Sequence, residues 1–189
     1  MQEWPTFRMP FSAYAKAYPD GKVFLNKIVP FIKNPVLWLW DNIVEIVLLW
    51  ATVSHHRSQS LLTSTMDVDD DRLIRKELVW GFTIGKDSMA YTERYIKAQG
   101  NIINTKVGGR DIVASYDPIY ESVNIWYNDS GQLVKEIDFF GKSDQGDLKR
   151  VETVKAGLYW FVWINYYPES QLNDDGEVNT NYEHLFGPA

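Results

Sequence analysis

The sequence predicts an α+β fold: a small β-rich domain built from hairpins with one or two helices, preceded by an extended arm and a long hydrophobic helix. Three observations carry this. Runs of β-branched and aromatic residues after position 74 alternate with Gly-containing turns. The stretch PVLWLWDNIVEIVLLWATV, residues 35–53, is apolar over a helical length. Pro5, Pro10, Pro19, Pro30 and Pro35 punctuate the first 35 residues, which favours extended chain broken by short helical pieces such as SAYAKAY.

The divisions that follow are a basic, proline-punctuated arm over 1–34, a hydrophobic helix over 35–56, a polar linker over 57–73, a β-rich domain over 74–172 and an acidic tail over 173–189. Within the domain, ELVWGFTI reads as a strand and GKDS as its turn. A helix is expected from Met89 to Gln99, with Ser88 as N-cap and Gly100 as its stop. NIINTKV and RDIVASYD read as a hairpin turning at Gly108 and Gly109, since paired glycines supply the positive φ of tight turns. SVNIWYN, the turn DSG and QLVKEIDFF read as a second hairpin. GLYWFVWINYY, residues 157–167, suits a buried helix or a buried strand, and periodicity does not choose.

Composition narrows the chemistry. The chain has 189 residues and no cysteine, which excludes disulfides, thiolate metal sites and cysteine nucleophiles. A net charge of −6 lacks the basic field that phosphate binding needs, so nucleic acid is not an expected partner. The charge is unevenly spread: residues 1–34 carry five bases and two acids, whereas 169–189 carry five acids and no base. The opening MQEWPTFRMP has no basic n-region followed by an apolar core, and no cleaved signal peptide is expected there. No phosphate loop or nucleophile elbow occurs.

The segment 35–53 admits three readings. As a helix it extends roughly 28 Å, close to the hydrocarbon thickness of a bilayer. Asp41, Glu45, Thr52 and His56 form one helical stripe, a narrow polar seam on a broadly apolar surface. In a membrane span Glu45 costs about 2.5 to 3.5 kcal/mol near the centre, which the apolar side chains offset at about 0.3 to 0.6 kcal/mol each. Trp40 and Trp50 are roughly 15 Å apart along a helix, too close to mark both interfaces of one bilayer. The second reading lays the helix on a membrane surface or in a partner's groove; the third buries it in a soluble core. Membrane or partner contact is expected through Trp38, Trp40, Ile43, Val47 and Trp50. With a single span, Lys22, Lys27 and Lys33 place the N-terminus inside and the β-rich domain outside the cytoplasm. The alternative is a soluble cytoplasmic chain.

Candidate chemistry is sparse. Asp111, Tyr116, Asp117 and Glu121, beside Arg110, offer a carboxylate and tyrosine set at a strand end, where separated pKa values would allow acid and base roles. Asp also initiates turns, which is the plainer reading. His55 and His56 have metal-ligand chemistry, but neighbours on a helix point apart, and a polar helix end explains them equally. Asp67, Asp69 and Asp71 imitate the start of a calcium loop, yet Arg72 and Leu78 stand where its glycine and glutamate belong. No metal or other cofactor is expected.

The order VWGFTIGKDSMAYTERY, NTKVGGRDIVASYDP and LYWFVWINYYPESQL resembles the DUF3179 proteins, a family of unknown function, over about residues 74–172. Ala90 and Tyr91, where that family begins a helix, Asn104 with Gly108 and Gly109, and Trp160, Trp163 and Pro168 stand in the matching places. Many members carry a cysteine-containing segment after the second strand of the hairpin; this chain has Tyr116, Asp117 and Pro118 there. The resemblance implies a shared fold and brings no activity. The function expected is that of a non-catalytic, membrane-associated accessory or assembly protein, binding a membrane or a larger membrane complex through the hydrophobic helix. The alternative is a soluble enzyme or small-ligand-binding protein using the carboxylate and tyrosine set.

Overall fold

The computed structural model describes residues 6–23, 34–57, 68 and 70–173. The chain divides into two compact units, one of residues 1–20 with 66–179 and one of residues 21–65 with 180–189. The first is the α+β body.

Its first sheet starts with β1 (Leu78–Ile84) and β2 (Asp87–Thr92), antiparallel with Ile84 opposite Asp87. The connection is Gly85 and Lys86, with Gly85 at φ 62°, the left-handed conformation that two-residue hairpin loops require. The expected helix from Met89 therefore begins later. Met89, Ala90 and Tyr91 are strand residues, each buried, and pairing on both edges of β2 overrides the high helix propensity of Met and Ala. Helix α1 (Phe11–Ala17) precedes this sheet in the chain and α2 (Pro35–Arg57) belongs to the other unit. Helix α3 spans only Glu93–Ala98, capped by Thr92 rather than Ser88: the Thr92 hydroxyl accepts from the Tyr95 N–H at 3.3 Å. Gly100 at φ 82° ends it, and the Asn101 N–H closes back on the Ile96 carbonyl at 2.9 Å.

The second sheet is built on β3 (Ile102–Val107) and β4 (Arg110–Asp117), the hairpin turning at Gly108 and Gly109 as the sequence predicts. β5 (Ser122–Tyr127) pairs with β4. The DSG turn also forms, with Gly131 at φ 67°, but QLVKEIDFF does not return as a strand against β5. The reason is that β8 (Lys149–Arg150) occupies that edge, after a small ribbon of β6 (Lys142–Ser143) and β7 (Gly146–Asp147). Val134 docks elsewhere, its N–H and C=O both bonded at 2.9 Å to the side-chain amide of Asn104.

The aromatic stretch is both strand and helix. β9 (Lys155–Tyr159) pairs with β1, and α4 (Trp160–Tyr166) follows at once. No side chain caps α4. Its first N–H groups, of Trp160 and Phe161, donate instead to the carbonyls of Glu77 and Arg75 at 2.8 and 3.0 Å. β10 (Gln171–Asn173) then joins β2 in parallel, giving sheet orders β10-β2-β1-β9 and β3-β4-β5-β8. The main core gathers Leu73, Val79, Ala90, Trp160, Trp163 and Ile164; a second one centres on Val113, Trp126 and Val134. Leu73 and Lys76 lie buried at the end of the polar stretch, so the chain from about residue 70 serves the body and is not a spacer.

Residues 6–20 are also part of this body. The Thr6 hydroxyl donates to the Val154 carbonyl at 2.7 Å and accepts from the Ala156 N–H at 3.1 Å. Phe7 meets Phe139 edge-on at 5.6 Å, and Tyr18 meets the same ring at 6.3 Å. Such pairs contribute about 0.5 to 1.5 kcal/mol each beyond area burial.

Candidate functional site

Helix α2 is positioned by its own first residues. The Asn34 side-chain oxygen accepts from the Leu37 N–H at 3.1 Å, and the Asn34 carbonyl from the Trp38 N–H at 3.0 Å, so Asn34 is the N-cap and Pro35 fills the first helical position, where its missing N–H costs nothing. From Pro35 to Ser54 the helix is long and apolar enough to cross a membrane, and none of that stretch is buried. Val36, Ile46 and Trp50 are 74%, 67% and 71% exposed. A core helix buries such side chains; this one presents them.

At 100° per residue, Val36, Trp40, Ile43, Val47 and Trp50 share the centre of an apolar arc of roughly 200°. Asp41, Glu45 and Thr52 fall opposite, bordered by Leu48 on one side and by Trp38, Leu49 and Asn42 on the other. Four of the five residues expected to make contact thus share one arc, while Trp38 lies on the seam side. The Asn42 amide donates to the Trp38 carbonyl at 2.7 Å, which satisfies a polar group within the helix itself. His55 and His56 occupy consecutive positions of the last turn of α2, and their side chains lie outside the described residues. Asp67 and Asp69 of the calcium-loop imitation lie outside them too.

The carboxylate and tyrosine set does not assemble into one place. Asp111 and Asp117 stand at opposite ends of β4, roughly 20 Å apart at strand rise. Asp111 pairs with Lys106 at 3.4 Å, and Arg110 turns to Asp129 at 2.9 Å and lies 3.8 Å over the Tyr127 ring. At the other end, Asp117 accepts from the N–H groups of Ile119 and Tyr120 at 2.8 and 3.0 Å, closing the β4–β5 turn in which Glu121 takes φ 48°. Tyr116 lies under the Lys97 ammonium at 4.1 Å. Burial works against the charge on Lys97, but the Glu93 carboxylate outweighs it, with Tyr116 adding, and holds the amine above its ordinary pKa. These are turn and surface contacts, with the Asp111 and Asp117 carboxylates engaged in structure.

Two other features were not legible as sites. An open cup is lined by Glu136, Ile137, Asp138, Lys142, Ser143 and Asp144, but Asp138 and Asp144 spend an oxygen each on pairs of backbone N–H groups. Arg150 sits among Phe7, Trp126 and Phe139, 5.1, 4.9 and 4.5 Å from the ring centres, and donates to the Phe139 carbonyl. It fastens residues 6–20 to the loop around 139. No sequence signal announces it, because Phe7 and Arg150 are distant in the chain. Among the described residues, no group of three or more His, Asp or Glu side chains gathers as a metal site.

A family model described as "Protein of unknown function (DUF3179)" matches residues 1–170. The chain belongs to the DUF3179 family. The match begins well before the hairpins that first suggested it and takes in α1 and α2, so the apolar helix lies inside the family's matched span. Comparison with curated proteins returned no match, and neither did comparison with solved structures.

Proposed function

We propose that this DUF3179 protein is a non-catalytic accessory or assembly protein that works at a membrane, held there, or on a larger membrane complex, by the apolar surface of α2. The observation that carries the reading is the exposure of that surface: a helix apolar over 20 residues with none of its length buried. Soluble proteins rarely leave so large a contiguous apolar patch uncovered, and patches of that size mark membrane or protein contacts. For the alternative, an enzyme or ligand-binding protein, the named set divides between the two ends of β4, Asp111 at one and Tyr116, Asp117 and Glu121 at the other.

The test is flotation of the full chain with vesicles containing anionic lipid. The chain is expected to rise with the vesicles, and a variant with Ile43→Asp and Val47→Asp is expected to stay at the bottom of the gradient. Failure of the native chain to float, together with its absence from the membrane fraction of cells that express it, or equal flotation of the variant, contradicts the reading.

A further inference from the structure

We infer that α2 lies in the plane of the membrane surface and does not cross it, so that the chain before it and the chain after it occupy the same side; this rests on the membrane reading above. The argument starts in the α+β body. Residues 6–20 and residues 70–173 belong to one compact unit. They are joined by the two Thr6 hydrogen bonds to Val154 and Ala156, by the rings of Phe7 and Tyr18 on Phe139, and by Arg150 over Phe7. Two segments packed in one core share one aqueous compartment. A single crossing by α2 would put them in different ones.

A second crossing that restored them to one side finds no segment able to make it. Residues 21–34, with Lys22, Lys27 and Lys33 spread through them and Pro30 between, would reach about 20 Å as a helix, short of a hydrocarbon core of about 30 Å. Residues 58–67, SQSLLTSTMD, would have to run almost fully extended, leaving backbone N–H and C=O groups unpaired in lipid, which bilayers do not tolerate. The excursion from the body leaves and returns on one side.

The composition of α2 suits that placement. The arc of Val36, Trp40, Ile43, Val47 and Trp50 faces the acyl chains, while Asp41, Glu45 and Thr52 face water, so neither acid needs burial. Trp40 and Trp50, too close to mark two interfaces, both sit at one. The flanks are basic: residues 21–66 carry four bases, at Lys22, Lys27, Lys33 and Arg57, against the two seam acids, in a chain whose net charge is −6. Bases on both sides of an apolar helix fit an anionic headgroup layer. A protein groove is the competing occupant, and the bases that flank the apolar stretch, Lys22, Lys27 and Lys33 before it and Arg57 after it, favour lipid.

The absence of cysteine from the chain makes single-cysteine labelling clean. In sealed membrane vesicles from cells expressing the full chain, a membrane-impermeant maleimide should reach Ser12→Cys and Lys86→Cys from the same face and to the same extent. Glu45→Cys should react at the rate of those exposed sites, and Val47→Cys about tenfold more slowly. If Ser12→Cys and Lys86→Cys react from opposite faces, or Glu45→Cys is shielded like Val47→Cys, the in-plane placement is overturned while membrane binding stands. If the chain is not in the membrane fraction at all, both readings fall. If Val47→Cys of purified chain on protein-free anionic vesicles reacts as fast as Glu45→Cys, lipid is not what covers the arc, and the lipid assignment is overturned.

Discussion

A methyl group on Gly81 would meet the indole of Trp163. The added Cβ would stand 2.4 Å from Trp163 Cδ2 and Cε3 and 2.5 Å from Cζ3, against ordinary carbon contacts of about 3.5 to 4.0 Å. The ring must therefore retreat by about 1 Å, and it has little room. Trp163 is 1% exposed within the main core. Its N–H donates to the Ser170 hydroxyl at 2.8 Å, and Tyr167 lies against it at 4.2 Å between ring centres. Over-packing of this kind costs about 1 to 3 kcal/mol, and straining the Ser170 hydrogen bond adds about 1 kcal/mol. For a body of this size that corresponds to a fall in Tm of about 10 °C. Thermal unfolding of Gly81→Ala, followed by near-ultraviolet circular dichroism, measures it. Combining Gly81→Ala with Trp163→Leu should cost less than the sum of the single changes, since the smaller side chain removes the clash. A Gly81→Ala Tm equal to that of the native chain, or strict additivity in the double variant, would refute the packing of α4 on β1 described above.

Phe7→Ala should destabilise the body by about 1 to 2 kcal/mol, because Phe7 is half-buried against Phe139 and Arg150; limited proteolysis should then cut residues 6–20 faster, and an unchanged cutting rate would show that they are not docked. Asp70 is held below the usual carboxylate range: burial pushes its pKa up, but hydrogen bonds from the Arg72 side chain and N–H, and the Arg72 charge, more than reverse this. A depressed folded pKa gives stability that is complete above the unfolded value of about 3.9 and is lost as pH falls through the lower folded value. Asp70→Asn should flatten that part of the acid-unfolding curve and cost about 1 kcal/mol near neutrality, and an identical acid profile would contradict the pairing. Asp117→Asn keeps the acceptor for the Ile119 and Tyr120 N–H groups and should change stability by less than about 0.5 kcal/mol, whereas Asp117→Ala should cost about 1 kcal/mol; equal losses by denaturant unfolding would show that the turn does not depend on that oxygen.

Local chemistry made much of the fold legible. Paired glycines at 108 and 109 specify a hairpin wherever they fall, and the apolar run that opens on Pro35 specifies a helix with little help from the rest of the chain. Tertiary competition was not legible. Met89, Ala90 and Tyr91 form a strand because both edges of β2 are taken, and QLVKEIDFF is kept off β5 because Lys149 and Arg150 occupy that edge. The aromatic run at 157–167 left strand and helix undecided because it contains both, with the boundary set by the Arg75 and Glu77 carbonyls. The same limit applies to sites. The arc on α2 follows from helical spacing alone, whereas the ends of β4 had to be seen before Asp111 and Asp117 could be separated. The binding of Arg150 among Phe7, Trp126 and Phe139 depends on contacts across nearly the whole chain.

The periodicity of lipid exposure along α2 tests the central claim most directly. Nitroxide labels placed singly from position 36 to 53 of the full chain, on anionic vesicles, report oxygen accessibility residue by residue. In-plane placement predicts an oscillation of 3.6 residues, with maxima at Trp40, Ile43, Val47 and Trp50 and minima at Asp41, Glu45 and Thr52. A smooth rise to a single maximum near the middle of the helix would mean that α2 crosses the bilayer, and accessibility no higher than in water along its whole length would mean that it does not enter lipid.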